Sequence, residues 1–133
     1  MSPSIKTRAI ILASSVILTF VITRTFLYFY PDADFDVLGY NIHHLYTGLV
    51  LIIFAGIPLI ICSLKGLLSH FAIIIFGIGL SLAIDEWVYL IATDGENNSY
   101  FLPVSFWGGL IMVGLTSIYI GILYLFFSRK ENN

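Results

Sequence analysis

Charged residues and cysteine are both scarce in this chain of 133 residues. Only 11% of the residues are charged, whereas an average soluble domain carries about 25%, so a water-facing surface cannot be built from them. A single cysteine excludes a scaffold held together by disulfides. Six Lys and Arg residues and a net charge of -2 exclude the basic surface that nucleic-acid binding requires. We therefore expect neither a soluble domain nor a nucleic-acid partner.

Apolar sequence is abundant, because 59% of the residues are hydrophobic. A helix needs about 20 mostly apolar residues to cross the hydrocarbon layer of a bilayer. Four segments meet this requirement, at about 9–29, 42–62, 67–92 and 104–127. The connections between them are too short for an extramembrane domain. The sequence therefore predicts a single domain over residues 1–133, an all-α integral membrane four-helix bundle whose immediate partner is the lipid bilayer.

The distribution of Lys and Arg predicts the orientation of these helices, because cytoplasmic loops and tails are enriched in both. A four-span arrangement places five of the six on one side: Lys6, Arg8, Lys65, Arg129 and Lys130. The connections on the opposite side contain neither and hold Asp32, Asp34, Asp36, Asp94 and Glu96. Both termini are therefore predicted to be cytoplasmic.

Aromatic residues collect near the acidic side of this arrangement. They are Tyr28, Tyr30, Tyr40, Trp87, Tyr100 and Trp107. Trp and Tyr are enriched at membrane–water interfaces, where they anchor helix ends. We interpret these residues as interface anchors and not as a binding site.

Three charged residues lie inside the apolar segments: Arg24, Asp85 and Glu86. Such residues cost roughly 2.5–3.5 kcal/mol each at the bilayer centre, so they usually pair with one another or line a polar cavity. His43 and His44 begin the second segment. At a rise of 1.5 Å per residue, all five lie within about 10 Å of one level. We expect one polar pocket near the extracytoplasmic face, with Arg24 paired to one of the two acids.

Small residues accompany the two acids along the third segment. Gly77 and Ser81 precede Asp85 at intervals of four residues, and Gly79 lies on the face of Glu86. Small residues let membrane helices approach closely. The two acids therefore face two different neighbouring helices.

Similar stripes occur on the second and fourth segments. His44 shares a face with Gly48, which makes His44 a better interior ligand than His43. The stripe on the fourth segment consists of Gly114, Ser117 and Gly121. We expect both faces to lie against other helices.

The donor set of the pocket fits a divalent metal. Imidazole nitrogens and carboxylate oxygens suit Zn, Mn or Fe, and the candidate ligands are His43, His44, Asp85 and Glu86. Neighbouring residues of an ideal helix point about 100° apart. We therefore expect at most one histidine and one or two carboxylates to bind directly, with a partner completing the ligand shell. A small polar ligand is the related possibility.

Other interpretations of the pocket stay open. A network of Arg24, carboxylates and histidine that only fixes helix packing would suit an accessory subunit of a larger membrane complex, or a homo-oligomer. The same groups could conduct protons or ions. Serine-hydrolase catalysis is disfavoured, because the chain has no G-x-S-x-G. The metal interpretation is weakened, because the Glu-x-x-His and H-E-x-x-H spacings of familiar di-iron and zinc sites do not occur.

Two stretches resemble a known sequence pattern. Residues 42–48 (IHHLYTG) and 77–86 (GIGLSLAIDE) are similar to the I-H-H-x-x-x-G and G-x-G-L-x-L-x-x-D-E pattern of small, uncharacterised prokaryotic multi-span membrane proteins. That group has no established activity. The resemblance implies that the histidines and acids act as one constellation, and it implies a bacterial or archaeal cytoplasmic membrane.

Overall fold

Four α-helices form most of the structure. The computed structural model describes residues 3–31, 36–37 and 40–131. The helices are α1 (Ile5–Phe29), α2 (His44–Ile61), α3 (Gly66–Ala92) and α4 (Pro103–Glu131). Between α1 and α2 two short antiparallel strands pair, β1 (Asp36–Val37) and β2 (Tyr40–Asn41), and a 3₁₀ helix over Asn97–Phe101 precedes α4. All four α-helices are long and apolar enough to cross a membrane.

The positions of the four helices agree with the apolar segments predicted from the sequence. Three of the predicted segments fall inside α1, α3 and α4, and the second extends slightly beyond both ends of α2. Ser4 caps α1 by accepting a hydrogen bond from the Thr7 N–H at 3.2 Å. Pro103 occupies the first position of α4, where its missing N–H has no helical partner to lose. Asp32 and Asp34, predicted to lie on the acidic side, are outside the described residues.

Helix α3 is the centre of the assembly. It packs against α1, α2 and α4, and α1 also contacts α4, whereas α2 packs mainly on α3. Half of the buried residues in the described chain belong to α3. The outer faces of the other helices expose large apolar side chains such as Phe54 and Leu18. Such an outer surface suits hydrocarbon better than water.

Glycine brings α2 and α3 into backbone contact. A Cβ atom on Gly48 would lie 2.5 Å from the carbonyl oxygen of Gly79, and one on Gly79 would lie 2.6 Å from the carbonyl oxygen of Gly48. Only glycine permits so close an approach. The contact holds the first turns of α2 against the middle of α3.

Helix α1 packs on the other small-residue stripe of α3. A Cβ atom on Gly77 would lie 2.7 Å from the Ser15 Cβ, and the buried Ser81 hydroxyl donates to the Val16 carbonyl oxygen at 2.8 Å. The stripe of Gly77 and Ser81 therefore faces α1, while Gly79 faces α2. The prediction that the two stripes face different helices is confirmed.

The predicted packing face of α4 is wrong. A Cβ atom on Gly114 or Gly121 would meet no atom within 4 Å. Helix α4 instead buries Gly109, Val113 and Ile120, which follow one another at four and seven residues. This face is rotated by one residue, about 100°, from the predicted stripe. Spacing alone identifies small-residue stripes but does not say which of them has a neighbour.

The two ends of the bundle differ in chemistry. The end of α1, the beginning of α2, the end of α3 and the beginning of α4 meet at one end, which we call the network end. The other end, which we call the basic end, carries exposed cationic side chains: Lys6, Arg8, Lys65 and Arg129. Between the two ends lies an apolar core that includes Val16, Phe20, Ile84 and Val113.

Candidate functional site: a buried polar network

All five residues singled out in the sequence meet at the network end. Arg24 comes from α1, His43 and His44 from the start of α2, and Asp85 and Glu86 from α3. Asp85 is 1% exposed and Glu86 is 3% exposed. Tyr100 joins them from the 3₁₀ helix, and we call these six residues the polar network. The five residues that were predicted to lie at one level along the helices are therefore in contact with one another.

Arg24 forms its ion pair with Asp85. Its Nε donates to Asp85 Oδ1 at 2.8 Å, and its Nη2 lies 2.7 Å from the same oxygen. Asp85 follows Gly77 and Ser81 on the stripe that faces α1, whereas Glu86 is rotated toward α2. Asp85 and Glu86 were both predicted as possible partners of Arg24. Arg24 pairs with Asp85, because Asp85 lies on the side of α3 that faces α1.

The remaining N–H groups of Arg24 bind the 3₁₀ helix and the first turn of α4. Nη1 donates to the Tyr100 carbonyl oxygen at 3.1 Å, and Nη2 donates to the carbonyl oxygen and hydroxyl of Ser105 at 3.1 and 3.2 Å. The guanidinium carbon lies 4.0 Å from the centre of the Tyr100 ring. A buried ion pair is tolerated when further hydrogen bonds satisfy both partners. Arg24 meets that condition and ties three helices together.

Tyr100 is part of the network and not an interface anchor, so its predicted role is wrong. It is 6% exposed, and its hydroxyl donates to Asp85 Oδ2. Burial, with a contribution from the charge of Asp85, holds the pKa of the Tyr100 phenol well above its usual value. A tyrosine near the end of an apolar segment could be an interface anchor or part of a buried network. The 3₁₀ helix decides between these roles, because it places Tyr100 against the bundle.

Glu86 caps a helix to which it does not belong. Its Oε2 accepts a hydrogen bond from the Leu45 N–H at 2.6 Å, in the first turn of α2, where backbone N–H groups lack helical partners. His43 occupies the N-cap position of α2 but makes no side-chain capping bond. The carboxylate of α3 takes over that function, and the positive end of the α2 dipole favours its charge.

Both histidines reach Glu86, which contradicts the expectation that only one of them could contact a common point. His43 Nδ1 and His44 Nδ1 each lie 3.2 Å from Glu86 Oε1. The reason is local: His43 precedes the helix and has an extended ψ of 144°. The 100° divergence of neighbouring helical residues therefore does not apply to this pair.

His44 bridges the two acids. Its Nε2 lies 3.2 Å from Asp85 Oδ2, while its Nδ1 lies near Glu86. An ionised carboxylate can only accept hydrogen bonds, and a neutral imidazole has only one N–H. Arg24 balances one of the two carboxylate charges. If both ring nitrogens of His44 carry a proton, each can donate to a carboxylate oxygen. The charges of Arg24, His44, Asp85 and Glu86 then sum to zero.

Gly109 of α4 makes room for the ion pair between Arg24 and Asp85. The sequence analysis did not predict this role of Gly109. A Cβ atom at this position would lie 2.5 Å from Asp85 Oδ1 and 3.1 Å from Arg24 Nη2. The backbone of α4 thus closes directly over the charges. The available signal was the position of Gly109 four residues after Ser105, on the same face of the helix.

The candidate metal ligands lie together without forming a recognisable metal centre. In the described parts of the chain, no group of three or more His, Cys, Asp and Glu side chains has the arrangement of a metal site. No buried polar side-chain atom there lacks a hydrogen-bond partner. A metal role for His43, His44, Asp85 and Glu86 stays a prediction.

No protein-family model, no curated protein and no solved structure matches the chain. The fold and the network define its class: an all-helical protein with four helices that can span a membrane and an ion pair enclosed by three of them. Any function has to be argued from the network itself.

Proposed function

We propose that the chain is an integral protein of a bacterial or archaeal cytoplasmic membrane, with both termini in the cytoplasm. The four apolar helices support insertion. The orientation is supported by Lys6, Arg8, Lys65 and Arg129 at one end, since cationic loops and tails remain in the cytoplasm. The polar network then lies near the extracytoplasmic face.

We further propose that the network binds and releases a proton from the outer aqueous phase. The observation that carries this proposal is His44, whose two ring nitrogens each lie 3.2 Å from a carboxylate oxygen. Imidazole is the side chain whose charge changes between about pH 5 and pH 8. The side chains of His43 and His44 are 21% and 20% exposed, whereas that of Asp85 is 1% exposed. Protons therefore reach the acids through the histidines.

Loss of this proton acts on the contact between α2 and α3. His44 begins α2 and both acids belong to α3, so a neutral His44 leaves one carboxylate charge of the buried pair unbalanced. Burial of an uncompensated charge is strongly unfavourable. The protonated bridge at His44 would thus help to hold α2 against α3.

A proton path across the whole membrane has less support. Below the network, Val16, Phe20, Ile84 and Val113 form an apolar core. Ser81, near the same level, donates to the Val16 carbonyl oxygen and is not part of a continuous polar chain among the described residues. Proton binding at one face fits this arrangement better than conduction.

The test is the thermal stability of His44 variants in detergent at one fixed pH. His44→Gln keeps a polar side chain but cannot carry the bridging proton, so it leaves one carboxylate charge unbalanced, and we expect a lower melting temperature than that of the wild type. His70→Gln is the matched control, since His70 lies near the beginning of α3 at the basic end, and it should melt like the wild type. Equal melting temperatures for all three proteins would contradict the proposal.

A divalent metal is the second candidate occupant, with one specific observation in its favour. His43 Nδ1 and His44 Nδ1 converge on Glu86 Oε1 at 3.2 Å each. Tetrahedral zinc with bonds of about 2.0–2.1 Å separates its ligand atoms by a similar distance. A metal would displace the proton, because both require the same lone pairs.

The metal candidate is tested on the same preparation. Zn²⁺ or Mn²⁺ should raise the melting temperature near neutral pH and raise it less near about pH 5, where protons compete. His44→Ala and Glu86→Ala should abolish the response, and His70→Ala should retain it. Identical melting curves with and without these metals would exclude the metal and leave the proton as the occupant.

A further inference from the structure

A cavity of about 390 Å³ lies between the four helices at the basic end. Each helix contributes to its wall, for example Leu12 of α1, Leu59 of α2, Phe76 of α3 and Leu123 of α4. Its volume falls within the range of about 300–1,000 Å³ that is typical of ligand pockets. The lining is almost entirely apolar, and Arg8 is its one charged residue.

The cavity exists because α2 packs mainly on α3 and leaves a gap toward α1 and α4. At the network end glycines close such gaps, but the walls here carry large side chains such as Phe76 and Phe127. A partly open apolar space of this kind would be entered by lipid chains in a bilayer. Its apolar wall fits an acyl chain.

The charge at this end selects the kind of lipid. Arg8 is exposed, and in the described parts of the chain no acidic side chain forms an ion pair with it. Three further cations lie at the same end: Lys6, Lys65 and Arg129. Basic pockets between helices on the cytoplasmic side bind anionic lipid headgroups, and a guanidinium matches a phosphate with paired hydrogen bonds.

We propose that this cavity binds an acyl chain of an anionic phospholipid from the cytoplasmic leaflet, with the lipid phosphate on Arg8. The site rests on the membrane insertion proposed above, and it does not depend on proton binding at the network. Reconstitution into vesicles separates the two questions. A chain that fails to insert refutes insertion, whereas a chain that inserts without lipid preference refutes only the lipid site.

The first experiment measures lipid binding to the purified full chain in detergent by native mass spectrometry, with phosphatidylglycerol and phosphatidylcholine of identical acyl chains. We expect phosphatidylglycerol to bind more tightly to the wild type. Arg8→Gln should weaken that binding about fivefold, the equivalent of about 1 kcal/mol per basic residue at a membrane surface. Lys6→Gln is the matched control, since Lys6 is exposed and does not line the cavity, and it should retain the preference.

A second pair of variants tests the cavity itself. Ala9 lines it, so Ala9→Phe should fill the space and reduce binding of both lipids. Ile10 is 54% exposed on the outer surface and is absent from the lining, so Ile10→Phe should leave binding unchanged. Equal binding of the two lipids to the wild type, equal losses in Arg8→Gln and Lys6→Gln, or unchanged binding in a folded Ala9→Phe would each overturn the proposal. If Ala9→Phe does not fold, the comparison of Arg8→Gln with Lys6→Gln decides.

Discussion

The network end and the basic end of the bundle are built from the same four helices but are packed differently. Toward the network end Gly48 and Gly79 bring the backbones of α2 and α3 together, and Gly109 brings the backbone of α4 against Asp85. At the basic end the helices surround a cavity whose lining includes the large side chains Phe76 and Phe127. The size of the residues at each helix contact thus decides whether charge is enclosed or space is left.

Two arginines on α1 show the same contrast. Arg8 and Arg24 lie about 24 Å apart along the helix at 1.5 Å per residue. Arg24 is enclosed and bound to Asp85, Tyr100 and Ser105, whereas Arg8 is exposed beside an apolar cavity. The residue type is identical, so the neighbouring helices determine what each arginine does.

Removing Arg24 should have the largest effect. Arg24→Leu leaves Asp85 buried without its cation, and we expect a loss of about 3–5 kcal/mol in the free energy of unfolding. Arg8→Leu should change stability by no more than about 0.5 kcal/mol, as is usual at exposed positions. Denaturant titration in detergent micelles measures both.

A double substitution sharpens this test. Asp85→Asn should recover part of the stability lost in Arg24→Leu, while Glu86→Gln should not, since Arg24 contacts Asp85. Non-additivity restricted to the Asp85 pair would show the coupling directly. If Asp85→Asn and Glu86→Gln restored equal amounts of stability to Arg24→Leu, the pairing of Arg24 with Asp85 would not be specific.

The glycine contact between α2 and α3 should matter next. Gly79→Ala places a Cβ atom 2.6 Å from the Gly48 carbonyl oxygen, and we expect a loss of about 1–3 kcal/mol from this overpacking. Gly114→Ala meets no atom within 4 Å, so it should be neutral or stabilising by up to about 1 kcal/mol through helix propensity. Melting curves of the two variants compare them, and equal losses would mean that close approach is not required.

The smallest effect concerns Tyr100 at alkaline pH. Its pKa is raised in the folded protein by burial, so the folded state keeps the phenolic proton more tightly than the unfolded state does. This contribution to stability is complete below the ordinary tyrosine pKa of about 10 and is lost as pH rises above it. Between about pH 9 and pH 11 the wild type should lose stability more steeply than Tyr100→Phe. Tyr30→Phe, at an exposed site, should follow the wild type, and parallel slopes for all three would refute the assignment.

The sequence predicted the parts of the structure that depend on local composition. Runs of apolar residues determine helix length, and the depth of Arg24, Asp85 and His44 in those runs determines that they meet. The sequence did not predict features that depend on how each helix is rotated about its axis relative to its neighbours. The face of α4 differs from the predicted one by a single residue, and Gly109 and Tyr100 gain their roles only through contacts with distant parts of the chain.

The inter-helix contacts of Arg24 also impose an order on biogenesis. Asp85 follows Arg24 by 61 residues and Ser105 follows it by 81. At a synthesis rate of roughly 5–20 residues per second, Asp85 emerges about 3–12 s after Arg24. During that interval the guanidinium lacks the acid that it binds in the folded protein, and in a bilayer α1 would keep it at the headgroup level by extending its long side chain toward water. The contacts of Arg24 are complete only when the first turn of α4 has been synthesised, so the arrival of α4 locks α1 in place.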